Sequence, residues 1–273
     1  TKYLLSSPNQ RLVGLAGSRH KLFTPCLLVD IDAVEHNISV AAEICRKAGK
    51  TLRPHVKTHK SVEIARRQID AGAIGLSAAT VGEVETFAGN GFDDILLTST
   101  FAPDHQLDRL IGIAGRTQNL TLVLDNPKTA KILGEAAKSH DLEMQVYIDL
   151  NTGRARSGCN SVTEAVDLAR IIEAQPSLTL KGIQAYAGHL SHMPYIEERK
   201  RASADCDQFC RDVLSALDQW LGDSPIVSGG STGMLMLDAK RSELSELQCG
   251  SYVFMDVEYE SIEPDHDVHW PFK

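Results

Sequence analysis

The run Arg53-Pro-His-Val-Lys-Thr-His-Lys60 sets basic side chains, Arg53, His55, Lys57 and His59, at alternate positions. On an extended strand alternate side chains share a face, so the spacing predicts a cationic row with Lys57 inside it. A lysine repelled and dehydrated by such neighbours gives up its proton more readily. The neutral amine is the form that attacks a carbonyl to make a Schiff base. The plainer alternative is a solvated basic edge. Three further runs carry polar residues where an apolar strand ends. In Ile148-Asp-Leu-Asn-Thr-Gly-Arg-Ala-Arg156, Arg156 either pairs with Asp149 or aims at a ligand's ring nitrogen or carboxylate. In Gln184-Ala-Tyr-Ala-Gly-His189-Leu-Ser-His192, Tyr186 and His189 can donate hydrogen bonds, and His189 can shuttle a proton near neutral pH. The small residues of Val227-Ser-Gly-Gly-Ser-Thr-Gly233 form either a plain turn or a loop whose backbone N–H groups surround an anion. Together these features point to a phosphorylated aldehyde cofactor, pyridoxal 5′-phosphate. Lys57 would form the imine, the loop through Gly229, Gly230, Ser231 and Thr232 would take the phosphate, and Arg156 would meet the ring.

These residues need a frame that gathers strand ends. Short runs rich in Val, Ile and Leu suggest eight strands: 26–30, 52–57, 74–78, 94–99, 121–125, 144–150, 180–186 and 226–230. Amphipathic helical patterns lie between them, at 33–48, 61–71, 81–89, 104–114, 127–139, 161–174 and 197–221. Strands alternating with helices imply a parallel sheet, and this number of units fits an α/β fold of the closed (β/α)8 TIM-barrel type. Such barrels collect reactive residues at the C-terminal ends of their strands. From Glu246 the pattern changes, and aromatic and apolar residues over 247–258 read as strand-like. The expected domains are therefore an N-terminal segment, 1–23, packing with a β domain; a cofactor-binding barrel, 24–245; and the beginning of a truncated C-terminal β domain, 246–273.

Composition bounds the partners. The chain has 273 residues, 42% hydrophobic, with 28 Lys+Arg against 36 Asp+Glu and a formal net charge of −8. This is ordinary for a globular protein, and the acidic balance argues against nucleic acid or an anionic membrane as partner. The sequence has no apolar run of bilayer length, and its first eleven residues lack a signal-peptide core, so a cytoplasmic location is expected. The six cysteines contain no Cys-x-x-Cys pair. Cys206 and Cys210 have a spacing that suits a metal on a helix, but buried reduced thiols are the favoured reading.

Several runs together resemble one family: Thr24–Asp32, Arg53–Lys60, Asp149–Gly153 with Arg156-Ser-Gly158, Gly182–His189, Ser228–Gly233 and Glu246–Asp256. They resemble the D-threonine aldolase and eukaryotic-type D-serine dehydratase family, within the alanine-racemase-like fold-type III enzymes that use pyridoxal phosphate. The resemblance implies that Lys57 carries the cofactor, that Arg156 faces the pyridine nitrogen, and that Tyr186 with Gly229, Gly230, Ser231 and Thr232 holds the phosphate. A guanidinium there leaves the ring nitrogen unprotonated and the ring a weaker electron sink. The implied activity is a lyase reaction on D-β-hydroxy amino acids, giving glycine and an aldehyde, with His189 as candidate base. The alternatives are dehydration of D-serine or 3-hydroxyaspartate, a non-catalytic pyridoxal phosphate carrier, and a cofactor-free Schiff-base aldolase. The family also implies a homodimer and a divalent metal (Mn, Mg or Zn), its ligands in a C-terminal region outside this chain. His266 and His269 do not match the family's metal motif and are expected to face solvent.

Overall fold

Five of the seven long helices among the described residues begin after a residue whose side chain caps the first turn. Asp30, Ser61, Thr80, Asn126 and Ser161 accept hydrogen bonds from backbone N–H groups of the first turns of α1 (Ile31–Lys47), α2 (Val62–Asp70), α3 (Val81–Ala88), α5 (Pro127–Ser139) and α6 (Val162–Glu173). Such a cap contributes about 1 kcal/mol and fixes where each helix starts. α4 (Pro103–Ala114) begins instead on a proline, and α7 is Ile196–Leu217. The computed structural model describes residues 7–241, 243–264 and 271–273.

The strands between the helices are β1 (Thr51–Leu52), β2 (Leu76–Ala78), β3 (Asp94–Leu97), β4 (Asn119–Leu124), β5 (Met144–Asp149), β6 (Leu178–Ala185), β7 (Ile226–Gly229) and β8 (Glu246–Leu247). They form one parallel sheet in the order β1-β8-β7-β6-β5-β4-β3-β2. The chain just past β1 closes it. Ile74 N–H donates to Leu52 O at 3.0 Å, Ser77 N–H donates to Pro54 O at 2.9 Å, and His55 bridges Ser77 in parallel. The expected (β/α)8 barrel is present.

Its staves differ from expectation at both ends. Residues 26–30 pair with no strand among the described residues and leave Leu27 98% exposed. Glu246–Leu247, read above as the opening of a further domain, is the last stave, held between β1 and β7. Ile226–Gly229 is therefore the seventh strand. The strand-like reading of 247–258 also fails, because a 3-10 turn at Ser251–Val253 and a short helix at Val257–Ser261 occupy that stretch.

Alternation along the strands separates two cores. Leu97, Leu122, Leu124, Val146, Ile148, Ile183 and Val227 join the main cluster with the helices. Leu96, Val123 and Tyr147, the alternate residues, form a separate buried cluster with Ile226 inside the barrel. The lower interior also holds a buried charge network. Arg53 Nε donates to Glu246 Oε2 at 2.8 Å, its other arm reaches Asp94 Oδ1 at 2.5 Å, and Ser228 Oγ donates to Glu246 Oε1 at 2.5 Å.

Candidate active site

Lys57 does not lie on a strand. Pro54 follows Arg53 without an N–H to donate, and the chain turns at Val56–Thr58 into a 3-10 turn that carries the lysine. The row of four basic side chains is thereby broken. Arg53 and His55 point into the barrel and are buried. His59 turns away, accepting from Ser61 N–H at 3.0 Å and meeting Gln68 Oε1 at 3.2 Å. Burial holds His59 down to about 4.

His55 supports the turn. Its Nδ1 accepts the Lys57 backbone N–H at 3.4 Å, and its Nε2 meets Thr98 Oγ1 at 3.1 Å. Burial, with Lys57 and Arg156 nearby, pushes the imidazole well below its usual pKa. A neutral ring with its proton on Nε2 satisfies both contacts.

The mouth above gathers three cations with no ion-pair partner among the described residues. The Lys57 amine lies 5.2 Å from the centre of the Tyr186 ring, Arg156 5.6 Å and Arg154 5.8 Å. Lys57 is open to solvent at the rim, yet the protein packed around it, then Arg156 and Arg154, lower its pKa against the weaker pull of Glu83. Glu83 is itself engaged, accepting from Ala79 N–H at 2.7 Å and lying 3.6 Å from Lys60 Nζ. A cavity of about 150 Å³ opens here, lined by Lys57, Arg156 and Tyr186 with His55, Thr98, Gln184 and Gln248 among its walls.

The floor of that cavity is one hydrogen-bonded unit. Gln248 Nε2 donates to Ser228 Oγ at 2.8 Å and to Gln184 Oε1 at 3.2 Å. Gln184 Nε2 donates to Asp149 Oδ1 at 2.8 Å and to Thr98 O at 2.9 Å. Ser157 Oγ donates to Asp149 Oδ2 at 2.8 Å. Asp149 thus takes a glutamine and a serine, not the arginine that the sequence offered it. Burial pushes its pKa up to about 6 against the opposing pull of these donors. Arg156 is exposed and makes no hydrogen bond among the described residues, so it is free for a ligand. The sequence reading missed Thr98, Gln184 and Gln248. Thr98 and Gln184 were signalled by a polar residue, buried here, near the end of a mostly apolar strand, whereas Gln248 follows the two-residue β8 and carried no such signal.

Tyr186 follows β6 and the glycine-rich loop follows β7. Ala185 pairs with Gly229, so the loop opens beside the tyrosine. Gly188 lies under the phenol, where a Cβ would collide with Tyr186 Oη, so only glycine lets the ring settle there. In the loop, Ser231 Oγ bonds Ser191 Oγ, and Thr232 Oγ1 accepts Tyr252 N–H at 3.0 Å. Ser231 N–H donates to Asp238 Oδ2 at 3.2 Å, and Asp238 Oδ1 takes Arg241 at 2.9 Å. Ser231 thus commits both its hydroxyl and its N–H within the fold, while Thr232 Oγ1 accepts and keeps its own proton, so an anion at Gly229–Thr232 would meet the loop's remaining backbone N–H groups.

His189 sits half-buried on the 3-10 turn Gly188–His192, outside the cavity walls. Its Nδ1 is buried with no hydrogen-bond partner among the described residues, and burial, Arg154 and His192 lower its pKa. Cys206 and Cys210 are buried free thiols. The described residues contain no group of three or more His, Cys, Asp or Glu placed to hold a metal. His266 and His269 lie outside the described residues. No helix among the described residues is long and apolar enough to cross a membrane.

Residues 29–258 match the family model described as alanine racemase, N-terminal domain. The chain is 35% identical over 249 residues to 3-hydroxy-D-aspartate aldolase of Paracoccus denitrificans strain Pd 1222, covering 90% of this chain and 63% of that protein. It is 30% identical over 246 residues to D-threonine aldolase of an Arthrobacter species, covering 89% of this chain and 64% of that protein. The crystal structure of D-threonine aldolase from Filomicrobium marinum superposes with a TM-score of 0.88 at 29% identity, covering 92% of this chain and 68% of the other. D-threo-3-hydroxyaspartate dehydratase from Delftia sp. HT23 superposes with a TM-score of 0.79 at 29% identity, covering 87% of this chain and 62% of the other. The chain spans a little under two thirds of the curated relatives it matches, 63% and 64%.

Proposed function

This chain belongs to the family of alanine racemase N-terminal domains, and from that premise we propose that it forms the barrel of a pyridoxal 5′-phosphate-dependent lyase. Its substrates are D-configured β-hydroxy amino acids, split between Cα and Cβ into glycine and an aldehyde. The carrying observation is Lys57, an amine of lowered pKa over the Tyr186 ring at a barrel mouth.

The donor set suits the cofactor. Lys57 offers the amine, Arg156 an uncommitted guanidinium for the pyridine nitrogen, and the Gly229–Thr232 loop backbone N–H groups for the phosphate beside Tyr186. When bound, the cofactor supplies an aldehyde for the amine and a conjugated ring that accepts electrons. Depression of the Lys57 pKa enlarges its nucleophilic fraction at neutral pH. Arg156, always charged, keeps a proton off the ring nitrogen. His55 and the Gln184–Gln248 floor hold the lysine turn and the cavity base in one arrangement. His189, kept neutral by its lowered pKa, accepts the proton of the β-hydroxyl. Activity then falls as the pH drops through the His189 pKa.

Incubation of the protein with pyridoxal phosphate and D-threonine or D-3-hydroxyaspartate yields glycine with acetaldehyde or glyoxylate. Ammonia and a keto acid in place of glycine assign β-elimination. No product from either substrate, with divalent metal supplied, overturns the reading. A divalent-metal requirement is proposed from the family resemblance, and a relative described as a metal-free form supports it. Loss of activity on chelation, restored by Mn, Mg or Zn, checks it. A homodimer is proposed on the same resemblance, its assembly checked by sedimentation.

A further inference from the structure

The loop after β5 carries two exposed arginines over the Tyr186 ring, Arg154 and Arg156. Gly153 and Ala155, flanking Arg154, both have positive φ, 107° and 52°. A left-handed alanine is disfavoured and persists only where its surroundings enforce it. Asn151 does so. Its Oδ1 accepts the N–H of Gly153 at 3.2 Å and of Ala155 at 2.9 Å, and its Nδ2 donates to Asn160 Oδ1 at 2.9 Å. Arg154 stands at the tip of this tethered turn with its guanidinium 5.8 Å from the centre of the Tyr186 ring. It is close enough to Lys57 and His189 for its charge to lower the pKa of both.

Other exposed arginines, such as Arg46, Arg109 and Arg170, close onto a neighbouring carboxylate. Arg154 has no carboxylate partner among the described residues. The charges at the mouth divide as follows. Lys57 is spent on the aldehyde and Arg156 on the ring, so one fixed positive charge remains beside His189, where the substrate's β-substituent must lie if His189 takes the β-hydroxyl proton. Threonine places a methyl group there, and 3-hydroxyaspartate places a carboxylate.

We propose that Arg154 determines specificity by binding the distal carboxylate of a β-hydroxy dicarboxylic D-amino acid. This rests on the lyase reading and names its preferred substrate class.

The test is kcat/KM for D-3-hydroxyaspartate and for D-threonine in the pyridoxal phosphate-loaded wild type, Arg154→Gln and Arg154→Lys. Loss of a charge-assisted hydrogen bond lowers kcat/KM for hydroxyaspartate about 10–100-fold in Arg154→Gln, with threonine changed less than about twofold. Arg154→Lys restores part of the loss. A parallel calorimetric titration uses D-aspartate, which lacks the hydroxyl that cleavage needs, and D-alanine. Arg154→Gln weakens D-aspartate alone, by about the same factor. Equal losses on both substrates would move Arg154 to the α-carboxylate and overturn the proposal, as would unchanged hydroxyaspartate kinetics. If the wild type cleaves neither substrate yet binds D-aspartate through Arg154, the lyase reading fails and the carboxylate site stands. If it neither cleaves nor favours D-aspartate over D-alanine, both fall.

Discussion

Two clusters of charge occupy opposite ends of the same barrel. At the lower end Arg53 is 3% exposed and meets Glu246, 2% exposed, and Asp94 with short hydrogen bonds. At the upper end Lys57, Arg154 and Arg156 surround Tyr186, and Glu83 alone among the described residues pulls the Lys57 pKa upward. In the lower cluster the buried Arg53 and Glu246 were dehydrated together as a pair, with the partly exposed Asp94 as a second acceptor for the guanidinium. The upper cluster is incomplete, and its surplus of positive charge is what an anionic cofactor and substrate would satisfy. Similar residue types therefore do opposite work. Paired charge ties strand ends together inside the barrel, while Arg154 and Arg156 at its mouth have no carboxylate partner among the described residues.

Lys57→Ala gives the largest difference between the two ends. Activity with pyridoxal phosphate falls at least about a thousandfold, ~4 kcal/mol of barrier, and the near-ultraviolet-to-visible absorbance of the bound cofactor disappears. Unfolding midpoints in urea stay within about 0.5 kcal/mol of wild type, because the side chain is exposed at the rim. A comparable loss of stability would remove the functional distinction between the ends.

Arg53→Ala is the opposite case. It leaves Glu246 buried without its cation, and stability falls by about 3–5 kcal/mol in urea titration. Replacing Arg53, Glu246 and Asp94 together by apolar residues recovers much of that loss. If the single substitution costs under about 1 kcal/mol, the lower network does not hold the barrel closed.

Asp149 lies between the two ends and gives the smallest effect. Burial raises its pKa from 3.8 to about 6, so the folded state holds this proton more tightly than the unfolded chain. The contribution to stability is fully present below pH ~4 and is lost as the pH rises through about 6. A shift of this size corresponds to about 2–3 kcal/mol. Asp149→Asn keeps an acceptor for Gln184 and an amide for Ser157, so it flattens the pH dependence between 4 and 6 and raises stability at pH 7. An unchanged stability–pH profile would show that Asp149 titrates normally.

Much of the site was legible because chemistry-bearing residues sit where apolar runs end. Lys57, Arg156 and Tyr186 line one cavity, as their strand-end positions suggested. His189 lies beyond its walls, Ser231 Oγ bonds Ser191 Oγ, and Thr232 Oγ1 accepts the Tyr252 N–H. Local pattern misread the barrel's first and last staves for a physical reason. Residues 26–30 have strand composition but no partner among the described residues, and β-propensity without pairing does not make a strand. Glu246–Leu247 is two residues long and begins with a glutamate, so no periodic signal marks it. Its strand exists because Arg53, 193 residues earlier, neutralises it inside the barrel.

The sequence by itself determined the alternation of helix and strand and singled out Lys57 as the candidate lysine. These follow from local spacing and side-chain chemistry. Only the tertiary structure decided that Lys57 rides on a turn braced by a neutral His55, that Asp149 serves Gln184 and Ser157, and that Glu246 closes the ring of strands. Each of those outcomes depends on partners distant in the chain, and on the cost of burying a charge or a polar group, which is set only once the barrel has closed around it.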